Sequence, residues 1–159
     1  MGTLEHAMYS FIEDMGLLFE KSGASKTLGR VFAYLLLAEQ PKTLDEIAED
    51  LLFSKATASL TIRQGLLIQF IEKVSLPGER KTYFRVNTTA WVRAMSAKLK
   101  ALHEWEAIIA RGLGILSTEN QQAAQNLLAM KDYFDFINWY LSDINEYYER
   151  WQKGEFRTT

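Results

Sequence analysis

The sequence predicts a mainly α-helical chain with one small β hairpin, and three observations carry that reading. Thr43-Leu44-Asp45-Glu46 has the capping-box spacing, and Ser54 offers a second N-cap shortly after it, so two short helices follow each other across a tight turn. Leu76-Pro77-Gly78-Glu79 places Pro and Gly at the centre of a type II turn between alternating stretches. Long segments before and after this region repeat apolar residues at helical spacing. Helix, turn, helix and hairpin in that order make Thr43 to Val86 a winged helix-turn-helix flanked by long helices.

The N-terminal flank carries Leu4, Met8, Phe11, Ile12, Met15, Leu18 and Phe19 on one helical stripe, expected to end at Lys21-Ser22-Gly23. Ser25 to Glu39 makes the next helix, with Val31, Phe32, Leu35, Leu36 and Ala38 inward and Pro41 forbidding continuation. Arg30, early in it, serves either a phosphate contact or an ion pair. In the first helix of the motif Leu44, Ile47, Ala48 and Leu51 share a face. In the second, Ala58, Thr61, Ile62 and Gly65 should face inward. Its opposite face presents Ser54, Lys55, Ala56, Thr57, Ser59, Leu60 and Arg63. Arg63 can pair with a guanine edge, Ser59 and Thr57 with bases or phosphate, and Ala56 or Leu60 with a thymine methyl. A solvated helix carrying a few polar residues would look similar.

The hairpin is expected to pair Ile71 to Leu76 with Lys81 to Val86. Lys81, Tyr83 and Arg85 alternate with Thr82, Phe84 and Val86, so one face is basic and aromatic. With Arg80 at its tip, such a wing suits a phosphate backbone or a minor groove. An edge hairpin guarded by charges is the alternative.

Beyond the wing, Asn87 or Thr88 should cap a helix running through Arg111 and broken by Gly112 and Gly114. Ser117 or Thr118 then opens a last helix to about Trp151. These helices carry stripes neither can hide alone, so they are expected to bundle with the N-terminal helix and a second copy of the chain. The expected division is residues 1–23 as an N-terminal dimerisation helix, 24–87 as the DNA-binding domain, and 88–159 as a helical dimerisation and candidate effector region.

The 159-residue chain lacks cysteine and carries a net charge of −2, which excludes disulfides and thiolate metal sites. The bases Lys55, Arg63, Lys73, Arg80, Lys81 and Arg85 nevertheless gather between Ser54 and Val86 against only Glu72 and Glu79. The first residues lack the pattern of a signal peptide and no apolar run reaches the roughly 20 residues of a membrane span. A cytoplasmic protein without membrane attachment is expected. His6 and His103 are the only histidines, and no metalloprotease, phosphate-loop or serine-nucleophile motif occurs. Neither an enzyme nor a metal or cofactor site is expected.

Gly29-Arg30-Val31-Phe32, Thr43 to Ala48, Ser54-Lys55 and Pro77 to Phe84 together resemble the GbsR-type branch of the MarR-like transcription regulators. The resemblance spans roughly Gly29 to Val86. It implies a homodimeric regulator, expected to repress, with the helix from Lys55 in the major groove of an operator and the Arg80 hairpin as wing. Gly65 and Gln69 depart from the pattern, which has a large core residue and a helix-ending Gly there. The last helix is dense in aromatic residues. Trp139, Tyr140, Asp143 and Tyr147 would suit a small cation by cation–π attraction and charge complementarity, although such stripes also serve as core or dimer contacts. The resemblance points to choline or betaine as the effector. The alternative function is a winged-helix protein-interaction module that reads no specific DNA.

Overall fold

The computed structural model describes residues 3–116 and 118–156, so Ser117, one of the two expected caps, lies outside the described residues. The chain forms two compact units, the first ending at Trp91 and the second beginning at Val92.

The first unit contains α1 (Thr3–Lys21), α2 (Lys26–Leu37), β1 (Lys42–Thr43), α3 (Leu44–Asp50), α4 (Lys55–Leu67), β2 (Ile71–Val74) and β3 (Tyr83–Val86). Its helices start where short polar side chains satisfy free amides. Ser25 caps α2, Thr43 and Glu46 close the expected capping box on α3, and Ser54 caps α4. α2 ends at Leu37, two residues earlier than expected, with Ala38 already extended.

Three helices of this unit end in Schellman turns, each with a left-handed residue after the cap. At α1 this residue is the expected Gly23 (φ 81°). At α3 and α4 it is Leu52 (φ 57°) and Gln69 (φ 63°). Phe53 N–H reaches Ala48 O at 2.8 Å, and Phe70 N–H reaches Gly65 O at 2.9 Å. Gln69 therefore adopts the backbone conformation that the family pattern gives to glycine, and α4 ends on schedule.

The sheet is three-stranded and antiparallel in the order β1-β3-β2, with Thr43 opposite Tyr83 and Ile71 opposite Val86. β3 is thus central, where a two-stranded hairpin was expected. The strands are also shorter: pairing stops at Val74–Tyr83, and residues 75–82 form a loop. Its tip is the expected turn, with Glu79 N–H on Leu76 O and Gly78 at φ 81°.

The core gathers Ile12, Val31, Leu35, Ile47, Leu51, Ile62, Ile71 and Phe84. Each such side chain contributes about 1.5–3 kcal/mol by leaving water. Phe19, Phe32 and Phe70 cluster with ring centroids 5.4–6.1 Å apart, tying α1, α2 and the residue before β2 together. α1 meets α2 so closely that a Cβ on Gly29 would lie 2.7 Å from Met15 O. Ala58, Thr61, Ile62 and Gly65 form the buried face of α4, as their spacing predicts.

The second unit continues α5 (Ala90–Ile115) and adds α6 (Gln121–Leu141) and α7 (Ile144–Gln152). Asn87 Oδ1 accepts Thr89 N–H at 3.0 Å in a turn ahead of α5, which starts at Ala90, so neither Asn87 nor Thr88 stands directly at the helix start as expected. Gly112 and Gly114 do not break α5. A Cβ on Gly112 would sit 3.1 Å from Leu127 Cδ1, so this glycine permits a close approach to α6 within a continuous helix. Trp105 stacks on Phe134 at 5.7 Å. The last helix is divided, contrary to expectation. Ser142 sends both its N–H and its hydroxyl to Trp139 O, which draws the ladder off course before Asp143 starts α7. Ile109 on α5 is buried, while Trp91, Met95, Trp105 and Met130 are exposed.

Gly65 explains its own departure from the pattern, because a Cβ there would overlap Ile71, lying 2.8 Å from its Cγ1. Gly65→Ala is expected to lower the urea midpoint by an amount worth about 1–3 kcal/mol, outweighing its gain of about 1 kcal/mol in helix propensity. Gln69→Gly should instead raise it, by about 0.5–1 kcal/mol, since it relieves a left-handed side chain exposed to solvent.

Candidate nucleic-acid interface

The exposed face of α4 is set by its cap and by its buried face. Ser54 Oγ accepts Thr57 N–H at 3.0 Å, and Thr61 Oγ1 donates to Thr57 O at 2.8 Å, so the first turn is fixed from both ends. Ser54, Lys55, Ala56, Leu60 and Arg63 are exposed, whereas Thr57 and Ser59 are half-buried. Thr57 is partly spent on the cap. Lys55 Nζ lies 3.0 Å from Asp45 Oδ1, an exposed pair between α4 and α3. Among the described residues Arg63 has no ion-pair partner.

The wing divides its bases between loop and strand. Arg80 and Lys81 lie in the exposed loop, and neither has an ion-pair partner among the described residues. Lys81 thus stands outside the strand in which it was expected. Tyr83 and Arg85 are on β3, half-buried and exposed respectively. Arg85 Nε lies 2.5 Å from Glu72 Oε1 on the paired strand. Burial, and then Glu79, raise the Tyr83 phenol above its ordinary range, so it faces any partner as a neutral donor.

The helix pair is held from behind by a residue whose role the sequence left open. Arg30 Nε lies 2.6 Å from Glu13 Oε1 on α1, its Nη2 donates to Leu51 O at 3.3 Å, and its guanidinium covers the Phe53 ring at 4.8 Å. Arg30 therefore ties α1 and α2 to the turn that leads into α4, which answers the choice between phosphate contact and ion pair in favour of the latter. No local sequence signal names Leu51 O or Phe53 as its partners.

The aromatic candidates lie apart from these elements in the chain. Phe136 stacks on Tyr140 at 6.0 Å and meets Trp139 at 6.2 Å, with Trp139 and Tyr140 largely exposed. Asp143 is exposed at the start of α7 and its side chain makes no capping bond. Tyr147 packs edge-on against Phe156, and Arg150 lies 5.9 Å and 4.6 Å from these two rings while pairing with Glu155. One cation of the chain itself thus already rests on Tyr147.

A capped helix pair followed by a basic wing is the reading head of a winged helix-turn-helix. Residues 89–154 match the model of the MmpR5-like MarR family of transcriptional regulators. In fold and in sequence the chain is thus similar to MarR-like helix-turn-helix transcription regulators. Among particular proteins, the chain is 27% identical over 148 residues to the HTH-type transcriptional regulator MmpR5 of Mycobacterium tuberculosis, covering 92% of this chain and 90% of that one. It is 26% identical over 165 residues to the HTH-type transcriptional repressor OpcR of Bacillus subtilis, covering 94% and 88%. A crystal structure of a transcriptional regulator aligns with a TM-score of 0.70 at 26% identity, covering 91% of this chain and 99% of that one. These relatives are regulators and not enzymes. No described helix is long and apolar enough to cross a membrane.

The capping box also titrates. Thr43 N–H donates to Glu46 Oε2 at 2.7 Å, and this bond, reinforced by the Thr43 hydroxyl, holds the Glu46 carboxyl below its ordinary range. A depressed folded pKa adds stability that is present above the ordinary value near about 4.3 and is lost as pH falls through the lowered one. Between pH 7 and pH 3 the wild-type melting temperature is expected to fall further than that of Glu46→Gln, which keeps an acceptor at this position but does not titrate. Parallel thermal melts of the two proteins measure the difference.

Proposed function

We propose that the chain is a homodimeric, sequence-specific DNA-binding repressor of the GbsR-type branch, acting in the cytoplasm on a double-stranded operator. The observation that carries this reading is the placement of Arg63, Arg80 and Lys81. All three are exposed, without ion-pair partners among the described residues, on the helix and the wing that reach DNA in this architecture. In this reading Lys55, Ala56, Ser59 and Leu60 accompany Arg63 into the major groove. Ser54 and Thr57 meet a flanking phosphate, while Tyr83 and Arg85 support the wing. Lys55 and Arg85 exchange Asp45 and Glu72 for phosphate on binding, at a cost of about 0.2–1 kcal/mol per exposed pair. The name of OpcR supports repression as the sense of regulation.

Residues 1–23 and 88–159 supply the dimer. Leu17 and Leu18 on α1, and Trp105, Ile108 and Met130 on α5 and α6, are exposed apolar side chains that a second copy would cover. Two reading heads so joined would meet half-sites about 34–36 Å apart. Trp139, Tyr140, Asp143 and Tyr147 form the candidate site for a small cationic effector such as choline or betaine.

Selection of genomic fragments, footprinting and binding titrations test the reading. Arg63→Ala should relax specificity at one base position, losing about 1–3 kcal/mol on the selected site and little on others. Arg80→Ala should weaken all sequences alike and reduce the salt slope by about 1. Binding unchanged by both substitutions together would reject the proposal. Calorimetry should give heat with choline or betaine that Trp139→Ala removes. A second reading, a protein-interaction module, draws on Leu60 and Leu67, 54% and 82% exposed along α4. A protein partner insensitive to salt, with no DNA affinity at low salt, would favour it.

A further inference from the structure

The first unit carries a groove where α1, α2 and the end of α3 converge, away from the exposed face of α4. Two adjoining cavities of about 240 and 440 Å³ share Met8, Ile12, Tyr34 and Asp50. The smaller adds Glu5 and Tyr9, and the larger adds Glu39 and Lys42. Together their size suits a small organic molecule. Met8 and Ile12 give the groove an apolar floor.

Its walls combine aromatic rings with carboxylates. The Tyr34 hydroxyl donates to Asp50 Oδ2, and burial followed by Asp50 raises the Tyr34 phenol well above its ordinary range, so it stays a neutral donor facing a carboxylate. The Tyr9 hydroxyl points to Asp50 O at 3.5 Å. Glu5 and Glu39 have no ion-pair partner among the described residues. The single base is Lys42, whose Nζ lies 6.0 Å from the Tyr34 ring centroid, at the outer edge of cation–π attraction. The face of Tyr34 thus already draws a cation from the protein, weakly enough to be displaced.

Three carboxylates and two phenol rings against one ammonium repel anions, and the apolar floor favours a ligand with an apolar body. Among the described residues no three acidic or histidine side chains lie close enough to hold a metal ion. We infer that this groove binds a lipophilic organic cation, its apolar body over Met8 and Ile12 and its charge between the Tyr34 ring and the carboxylates of Glu39 and Asp50. Asp50 is the last residue of α3. It precedes Leu51, whose carbonyl holds Arg30, and the left-handed Leu52 before the Ser54 cap. A ligand that takes over the Asp50 carboxylate from Tyr34 therefore acts on the segment that sets α4, and this coupling, unlike binding itself, rests on the DNA-reading proposal.

The test uses the full chain with tetraphenylphosphonium, and with tetraphenylborate as the same shape of opposite charge. Calorimetry should detect the phosphonium and not the borate. Glu39→Gln combined with Asp50→Asn should weaken phosphonium binding at least tenfold, and Glu5→Gln with Glu39→Gln, which touches no core contact, should weaken it in the same direction. No binding, equal binding of the two ions, or affinity indifferent to both double variants would overturn the assignment. Anisotropy on a selected DNA fragment separates the two proposals. Phosphonium binding without any DNA affinity rejects the reading function alone, and DNA binding untouched by bound phosphonium rejects the coupling alone.

Discussion

Everything that positions the reading face depends on how closely α4 can approach the wing. At Gly65 the helix backbone lies directly on the side chain of Ile71, the first residue of β2, with no room for a Cβ. A larger residue would have to displace Ile71, which is almost fully buried and part of the central cluster. Because protein interiors are packed like crystals, that displacement would be passed on to Ile62 and Phe84 in the same cluster and so to both helix and sheet. The absence of one methyl group thus fixes the distance between the two parts that would meet DNA together.

The same helix is framed by two left-handed residues that are not glycine. Leu52 precedes its cap and Gln69 follows its end, and each costs roughly 1–2 kcal/mol relative to an ordinary conformation. Both are held by Schellman bonds back into the preceding helix, and Arg30 secures the first turn further through Leu51 O. Such conformations persist only where the surroundings over-determine them. Here the surroundings are hydrogen bonds on one side and the Phe19, Phe32 and Phe70 cluster on the other, so the tilt of α4 is set by its ends as well as by its buried face.

What could be read from the sequence was what depends on neighbours in the chain. The caps at Thr43 and Ser54, the Gly23 turn and the Pro77-Gly78 turn are decided within four or five residues, and each stands where its chemistry put it. The buried face of α4 followed from its 3.6-residue period. β1 was invisible because two residues make a strand only through their pairing with Tyr83 and Phe84. Gly112 looked like a breaker because its value lies in what it lets Leu127 approach. The partners of Arg30 and Asp50 come from three helices at once, and periodicity along one helix carries no information about such convergence.

Charge shows how local arrangement outweighs total composition. The chain is net acidic, yet Arg63, Arg80 and Lys81 stand free of ion-pair partners among the described residues while Lys55 and Arg85 are held by Asp45 and Glu72. Exposed pairs of this kind are weak, and phosphates can replace their acids at little cost. Their effect on a nucleic acid would be subtractive: each acid lowers the net positive charge offered to any backbone, and with it the sequence-independent part of the affinity. A surface that gives up some general attraction in this way leans more heavily on the contacts of a few side chains. Arg63 is the one free base on the helix able to make a bidentate contact with a guanine edge, so in the proposed function discrimination would rest chiefly on that residue and on how Gly65 and the two flanking turns aim it.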